Sequence, residues 1–228
     1  MIVQIYEVSN PKEAKELEKL GVDHIGVLVG KGEYPRELSF EEAKNIFEVL
    51  SRKTKRVVLS LSNKMEDFIE IIQKVHPDIL HIGALPNGVT PLGVKELKQR
   101  FPEIKIMRAI PVISEESIDL AKQYDGIADY LLLDTYRKKD SQLGVTGETH
   151  NWNISREIVN SVKIPVILAG GLGPDNVVKA IQEVKPAGVD SKTKTDKTDG
   201  CGKDLEKVKE FVLKARSSKF RPKLRGKA

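Results

Sequence analysis

A carboxylate closes the apolar run Leu131-Leu132-Leu133-Asp134, and a glycine pair closes the run Ile167-Leu168-Ala169-Gly170-Gly171 further along. An aspartate at a strand end, with leucines before it and Tyr136 after it, sits in surroundings of low polarity. Such surroundings raise its pKa and suit it to general-acid work. The same carboxylate could instead accept amides of its own loop, and residue type alone leaves both readings open. The glycines of Gly170-Gly171-Leu172-Gly173-Pro174 let a backbone approach an oxyanion closely, ahead of a helix whose N-terminal end is positive. A later loop, Ser191-Lys192-Thr193-Lys194-Thr195, adds hydroxyls, amides and cations. An acid beside an anion cradle is the equipment for chemistry on a phosphorylated small molecule.

These residues need elements that bring them together. Strand-like runs recur at Ile2 to Tyr6, His24 to Val29, Arg56 to Leu61, Ile79 to Ile82, Lys105 to Ile110, Tyr130 to Asp134, Pro165 to Ala169 and Ala187 to Asp190. Each precedes a helix-like pattern. Asn10-Pro11-Lys12-Glu13 reads as an N-cap, a proline at the first helical position and an acid in the first turn. Ser39-Phe40-Glu41-Glu42 reads as a capping box before Ala43, Ile46, Phe47 and Leu50 at helical spacing. Ser114 to Ser117 and Pro174 to Val177 open two more helices, and the last runs from about Asp204 to Ala215. Eight strand–helix units in one chain predict an α/β fold, a single closed (β/α)8 TIM barrel, in which strand ends share one active-site face. A doubly wound open sheet is the runner-up. It would call for a glycine-rich loop after the first strand, and Glu7-Val8-Ser9-Asn10-Pro11 is not one.

Composition narrows the classes. The chain has 228 residues, 39% of them hydrophobic, enough for a sizeable core. No apolar run approaches the roughly 20 residues that cross a bilayer, and the N-terminus lacks a basic region and cleavage site, so a cytoplasmic protein is expected. Lone Cys201 rules out an internal disulfide and a four-cysteine zinc site. His24, His76, His81 and His150 are too scattered for a sequence-level metal motif, so neither a metal nor a cofactor is expected. The net charge is +5, but Lys214 to Ala228 alone carries seven cations and no acid. The barrel is therefore assigned to residues 1–216 and a basic, solvated tail to 217–228. Nothing interleaves aromatics with those cations, so the expected partner is a phosphorylated small-molecule substrate rather than nucleic acid or membrane, with a homodimer left open. Lysine and glutamate richness points to a thermophilic source.

The motifs, taken in order, resemble the phosphoribosylanthranilate isomerase family of tryptophan biosynthesis over almost the whole chain. Arg36-Glu37-Leu38-Ser39 is similar to its arginine stretch after strand two, and His81 falls at its strand-four histidine. Leu132-Leu133-Asp134-Thr135 resembles its acid-bearing strand. Gly144-Val145-Thr146-Gly147 with Trp152 resembles its glycine–threonine–glycine loop. Leu168-Ala169-Gly170-Gly171-Leu172 resembles its phosphate loop, and Gly188-Val189-Asp190 with Gly202-Lys203-Asp204 matches around strand eight. The resemblance implies an aldose–ketose (Amadori) rearrangement. Asp134 would be the general acid, and Arg36, His81 and Thr146 would line the substrate. Gly170, Gly171, Ser191, Lys192 and Thr193 would hold the phosphate.

The chain departs from that pattern at its first strand. Family members begin lysine–isoleucine–cysteine–glycine, with the cysteine as base, where this chain has Gln4-Ile5-Tyr6-Glu7. Alternation puts Gln4 and Tyr6 on the inward face. The base would then be Tyr6, or Glu7 swinging in at the strand exit. A phenol of pKa about 10 costs about 4 kcal/mol to ionise at neutral pH, some 2 kcal/mol more than a cysteine. Tyr6 is also bulky enough to fill the sugar site. Two other readings stay open for that reason: a different reaction on a phosphosugar, and a non-catalytic phosphosugar-binding protein. Cys201 reads as an incidental loop cysteine.

Overall fold

The computed structural model describes residues 1–137, 142–143 and 149–218. Eight parallel strands close into a barrel: β1 (Ile2–Ile5), β2 (His24–Leu28), β3 (Lys55–Ser60), β4 (Ile79–Ile82), β5 (Lys105–Val112), β6 (Tyr130–Arg137), β8 (Val166–Leu168) and β9 (Gly188–Ser191). Neighbours pair in that order, and β9 returns to β1, Val3 opposite Val189 and Gln4 opposite Asp190. The expected closed barrel is what forms. One element was not expected: β6 runs three residues past Asp134, and a short strand β7 (Gln142–Leu143) pairs antiparallel with its end. Thr146 and residues 219–228 of the tail lie outside the described residues.

Eight helices cover the barrel: α1 (Pro11–Lys19), α2 (Phe40–Glu48), α3 (Met65–Val75), α4 (Pro91–Arg100), α5 (Glu116–Gln123), α6 (Trp152–Ser161), α7 (Val177–Val184) and α8 (Leu205–Ser217). Their starts follow local chemistry. The Asn10 side chain accepts the Glu13 N–H, and Ser39 with Glu42 forms the full capping box. At α7 the helix begins a few residues later than the Pro174 signal suggests. Asn176 there ties down the preceding loop, accepting from Gly173 N–H at 2.9 Å and donating to the Gly171 carbonyl at 3.0 Å.

Two hydrophobic layers result. The larger lies between sheet and helices, and includes Ile5, Ile25, Phe68, Leu80, Leu131 and Phe211. The inner one fills the barrel with Tyr6, Val57, Ile79, Met107, Leu132, Ile167 and Ala169. Inward side chains of this kind make a packed core rather than a pore.

At the strand N-termini, aspartates staple neighbouring strands. Asp23, Asp78 and Asp129 stand just before β2, β4 and β6. They accept the backbone N–H of Val3, Arg56 and Ile106 on the adjacent strand at 2.8–2.9 Å. No described helix is long and apolar enough to cross a membrane.

Candidate active site at the C-terminal mouth

All eight parallel strands end on one face, so Asp134, Gly170–Gly171 and Ser191 share a rim. The ends of β6 and β8 adjoin there: a Cβ built on Gly170 would lie 2.5 Å from the hydroxyl of Thr135, the residue after Asp134. Gly170 and Gly171 adopt φ of +80° and +60°, a region that favours glycine. Among the described residues, neither the Gly171 nor the Leu172 N–H donates to a backbone acceptor. The Ser191 hydroxyl donates to the Leu172 carbonyl at 2.7 Å and joins the two loops of the cradle. Lys192 precedes a 3-10 turn at Thr193–Thr195.

Asp134 points into the mouth, half-buried, with Oδ1 accepting its neighbour Thr135 N–H at 2.7 Å. Burial pushes the carboxyl up to about 7, against the lowering effect of that amide. Both readings of the residue therefore hold at once: it caps its own strand end, and it keeps a proton near neutrality.

The sequence assigns no role to a second acid, Asp190. It is 7% exposed, and burial, then the charge of Asp134, pushes it up to about 8. The signal was present, since Ala187 to Asp190 is another apolar run closed by an acid. Only closure of the barrel shows that the two acids face each other's charge.

Gln4 and Tyr6 face inward as alternation requires. The buried imidazole of His24 is held down to about 4, mainly by burial, and so is neutral. Its Nδ1 lies 3.0 Å from Gln4 Oε1, and the Gln4 amide donates to Asp190 Oδ1 at 3.2 Å. Tyr6 is 4% exposed, and its ring lies so close to Gly26 that a side chain there would overlap it. Its hydroxyl meets His81 Nδ1 at 2.6 Å. His81 is lowered to about 3, by burial and then by Arg108, so it too is neutral. Burial, then Asp190 and Asp134, push the phenol well above its ordinary range. A phenolate here would have to form against burial and two nearby acids, which disfavours Tyr6 as the base.

Glu7 does swing toward the mouth, at φ +56°. There it pairs with Arg36 Nη1 and Lys192 Nζ, both at 3.2 Å. Arg36 also bridges to Asp196 at 3.2 Å and to the Gly200 carbonyl. Lys203, its side chain fully buried, meets Asp196 at 2.7 Å. Burial lowers the Lys203 ammonium, and Asp196 opposes the shift. This network ties the loops after β1, β2 and β9, and its three cations outnumber its two carboxylates. A separate cavity of ≈ 290 Å³ opens between the loops after β2 and β3, walled by Lys31, Tyr34, Asn63 and Asp67 among others; it includes neither acid. Among the described residues, no three His, Cys, Asp or Glu side chains converge on a metal position.

A parallel barrel with buried acids and a glycine-lined cradle on its catalytic rim belongs to the class of barrel enzymes that act on phosphorylated small molecules. The match to known proteins is more particular. Residues 4–214 fit the family model described as N-(5'phosphoribosyl)anthranilate (PRA) isomerase, and the chain belongs to that family. It is 34% identical over 220 residues to N-(5'-phosphoribosyl)anthranilate isomerase of Methanocella arvoryzae, covering 95% of this chain and 99% of that one. The solved isomerase of Pyrococcus furiosus superposes with a TM-score of 0.75 at 29% identity, covering 95% and 98% of the two chains. Another solved isomerase, bound to reduced 1-(o-carboxyphenylamino)-1-deoxyribulose 5-phosphate, shares the fold with a TM-score of 0.79 at 22% identity and coverage of 95% and 99%.

Proposed function

We propose that the protein is a phosphoribosylanthranilate isomerase, a cytoplasmic enzyme that rearranges an N-linked phosphoribose into the corresponding ketose. The observation that carries this reading is the Asp134 carboxyl, inward-facing and held near neutrality by burial, beside the glycine cradle that Thr135 abuts. Asp134 delivers its proton to the ribose ring oxygen as the bond to carbon one breaks. The amides of Gly170 and Gly171, with Ser191, Lys192 and Thr193, hold the phosphate. Arg36 meets the anthranilate part, where the positive excess of its network favours a carboxylate. His81, expected from the motif to line the substrate, is 3% exposed and acts instead through Tyr6, whose hydroxyl its Nδ1 meets. Thr146 is proposed as a substrate contact on the family motif alone.

The test is turnover of phosphoribosylanthranilate by the purified protein, beside Asp134→Asn. Ketose formation by the wild type and a severe loss in the variant are expected. The variant should bind the reduced product analogue as the wild type does. A wild type that forms no ketose above the uncatalysed rate would overturn the reading.

A further inference from the structure

Opening the ring needs an acid, but completing the rearrangement needs a base at sugar carbon two. We propose that Asp190 is that base, working opposite Asp134, an assignment that rests on the isomerase reading above.

The barrel places it there. Leu133 pairs with Leu168, and Leu168 with Val189. One step toward the mouth stand Asp134, Ala169 and Asp190, with small Ala169 between the two acids. Gln4 pairs with Asp190 on the other side. Gln4 Oε1 can only accept, so His24 carries its proton on Nδ1 and donates to it, which turns the Gln4 amide toward Asp190 Oδ1. Among the described residues no protein donor reaches Oδ2, which leaves that oxygen for substrate.

The other candidates are occupied. Tyr6 is a protonated phenol bonded to a neutral imidazole. Glu7 Oε2 is held by two cations, Arg36 and Lys192. The charged and titratable groups acting on Asp190 are Asp134, Glu7 and Lys203, with Tyr6 beyond Gln4 on the same strand. Two carboxyls in one dry site resist ionising together, so one keeps a proton while the other is charged. The productive state is the microstate of this coupled pair with the charge on Asp190, whose Oδ1 accepts the Gln4 amide, and the proton on Asp134; it supplies an acid and a base at one pH.

The step balances. The Asp134 O–H proton goes to the ring oxygen, the carbon one–oxygen bond breaks, and the anilino nitrogen lone pair forms the iminium. The Asp190 carboxylate takes the carbon-two proton. That C–H pair becomes the carbon one–carbon two double bond of the enolamine, and the iminium pair returns to nitrogen. The enolamine then becomes the ketone by losing its hydroxyl proton and gaining one at carbon one.

The experiment uses substrate carrying deuterium at ribose carbon two, with wild type, Asp190→Asn and Gln4→Lys. Asp190→Asn should lose on the order of 10³-fold in kcat, within the range for a lost general base, and show a larger primary isotope effect. Its affinity for the reduced product analogue should hold. Gln4→Lys places a cation beside Asp190 and should move the acidic limb of the kcat–pH profile down by about one unit. If Asp190→Asn fails to fold, that limb decides. An Asp190→Asn enzyme within threefold of wild type, or a Gln4→Lys limb that stays put, would overturn the assignment while leaving the isomerase reading intact. A wild type without turnover would remove both.

Discussion

At the N-terminal end of the barrel, Asp23, Asp78 and Asp129 each take a neighbouring strand's N–H and at least one cation. Arg216 reaches Asp23 at 3.0 Å, Arg56 grips Asp78 through two nitrogens at 2.9 and 3.0 Å, and Lys98 and Lys105 reach Asp129 at 2.6 and 3.0 Å. At the C-terminal end, Asp134 and Asp190 form no ion pair among the described residues. The consequence is opposite in sign. Burial works against the charge of Asp78 and Asp129, yet their cations and amides win, and both carboxyls fall below the ordinary range. At the mouth burial wins, and the acids rise to about 7 and about 8. One residue type thus serves as a staple where it is paired and as a proton carrier where it is not. At the mouth Glu7 and Asp196 are paired as well, so it is Asp134 and Asp190 in particular that the barrel leaves without a cation.

The largest break in this comparison is Asp134→Asn. It should cost about 10³-fold in kcat/KM, near 4 kcal/mol of transition-state stabilisation, with far-UV circular dichroism unchanged. Asp129→Ala should do the reverse. The Ile106 N–H and two ammonium groups lose their acceptor, for about 2–3 kcal/mol of stability by urea unfolding, while kcat per folded molecule stays within twofold of wild type.

The pH dependence of stability sharpens the contrast. Asp134 and Asp190 hold protons in the folded state that the unfolded chain releases above about pH 4, so each lowers stability as pH rises toward 7–8. His24, His81 and His150 have folded values of about 4, 3 and 4, below the unfolded value near 6.5. They lower stability as pH falls from 6.5. Asp78 and Asp129 add a further loss as pH drops through their depressed values. Three histidines outweigh two acids below pH 6.5, and the acids act alone above it, so stability should peak near pH 6.5. Asp134→Asn should flatten the alkaline limb and leave the variant more stable than wild type at pH 8 by about 1–2 kcal/mol, read as the urea midpoint. The smallest effect is expected of Tyr6→Phe. It removes the partner of a buried His81 nitrogen, for about 1 kcal/mol of stability, with kcat within about threefold of wild type. A loss of 10²-fold or more there would return the base to Tyr6.

Much of this was legible before any coordinates. The strand boundaries fell within a few residues because each run is apolar, bounded by turn residues and followed by a readable cap, as at Asn10 and Ser39. Asp134 was visible because an acid ending three leucines is chemically odd. Asp190 ends an equally apolar run but follows a glycine and a valine, and nothing in one dimension puts it beside Asp134. The swing of Glu7 at the strand exit was legible, but not what holds it: its backbone turns to positive φ and the side chain pairs with Arg36 and Lys192, which come from two other loops. The extension of β6 past Asp134 escaped because Thr135, Tyr136 and Arg137 lack an apolar pattern; their pairing with β5 and β7 makes them strand.

Local chemistry in the chain was enough to set the order of elements, the closed barrel and the face on which reactive residues gather, since periodicity and caps act over a few residues. The protonation states were decided only in three dimensions. Whether an aspartate is charged depends on which distant side chains stand within a few ångströms and on how much water is left. A linear sequence does not specify those distances until the barrel closes.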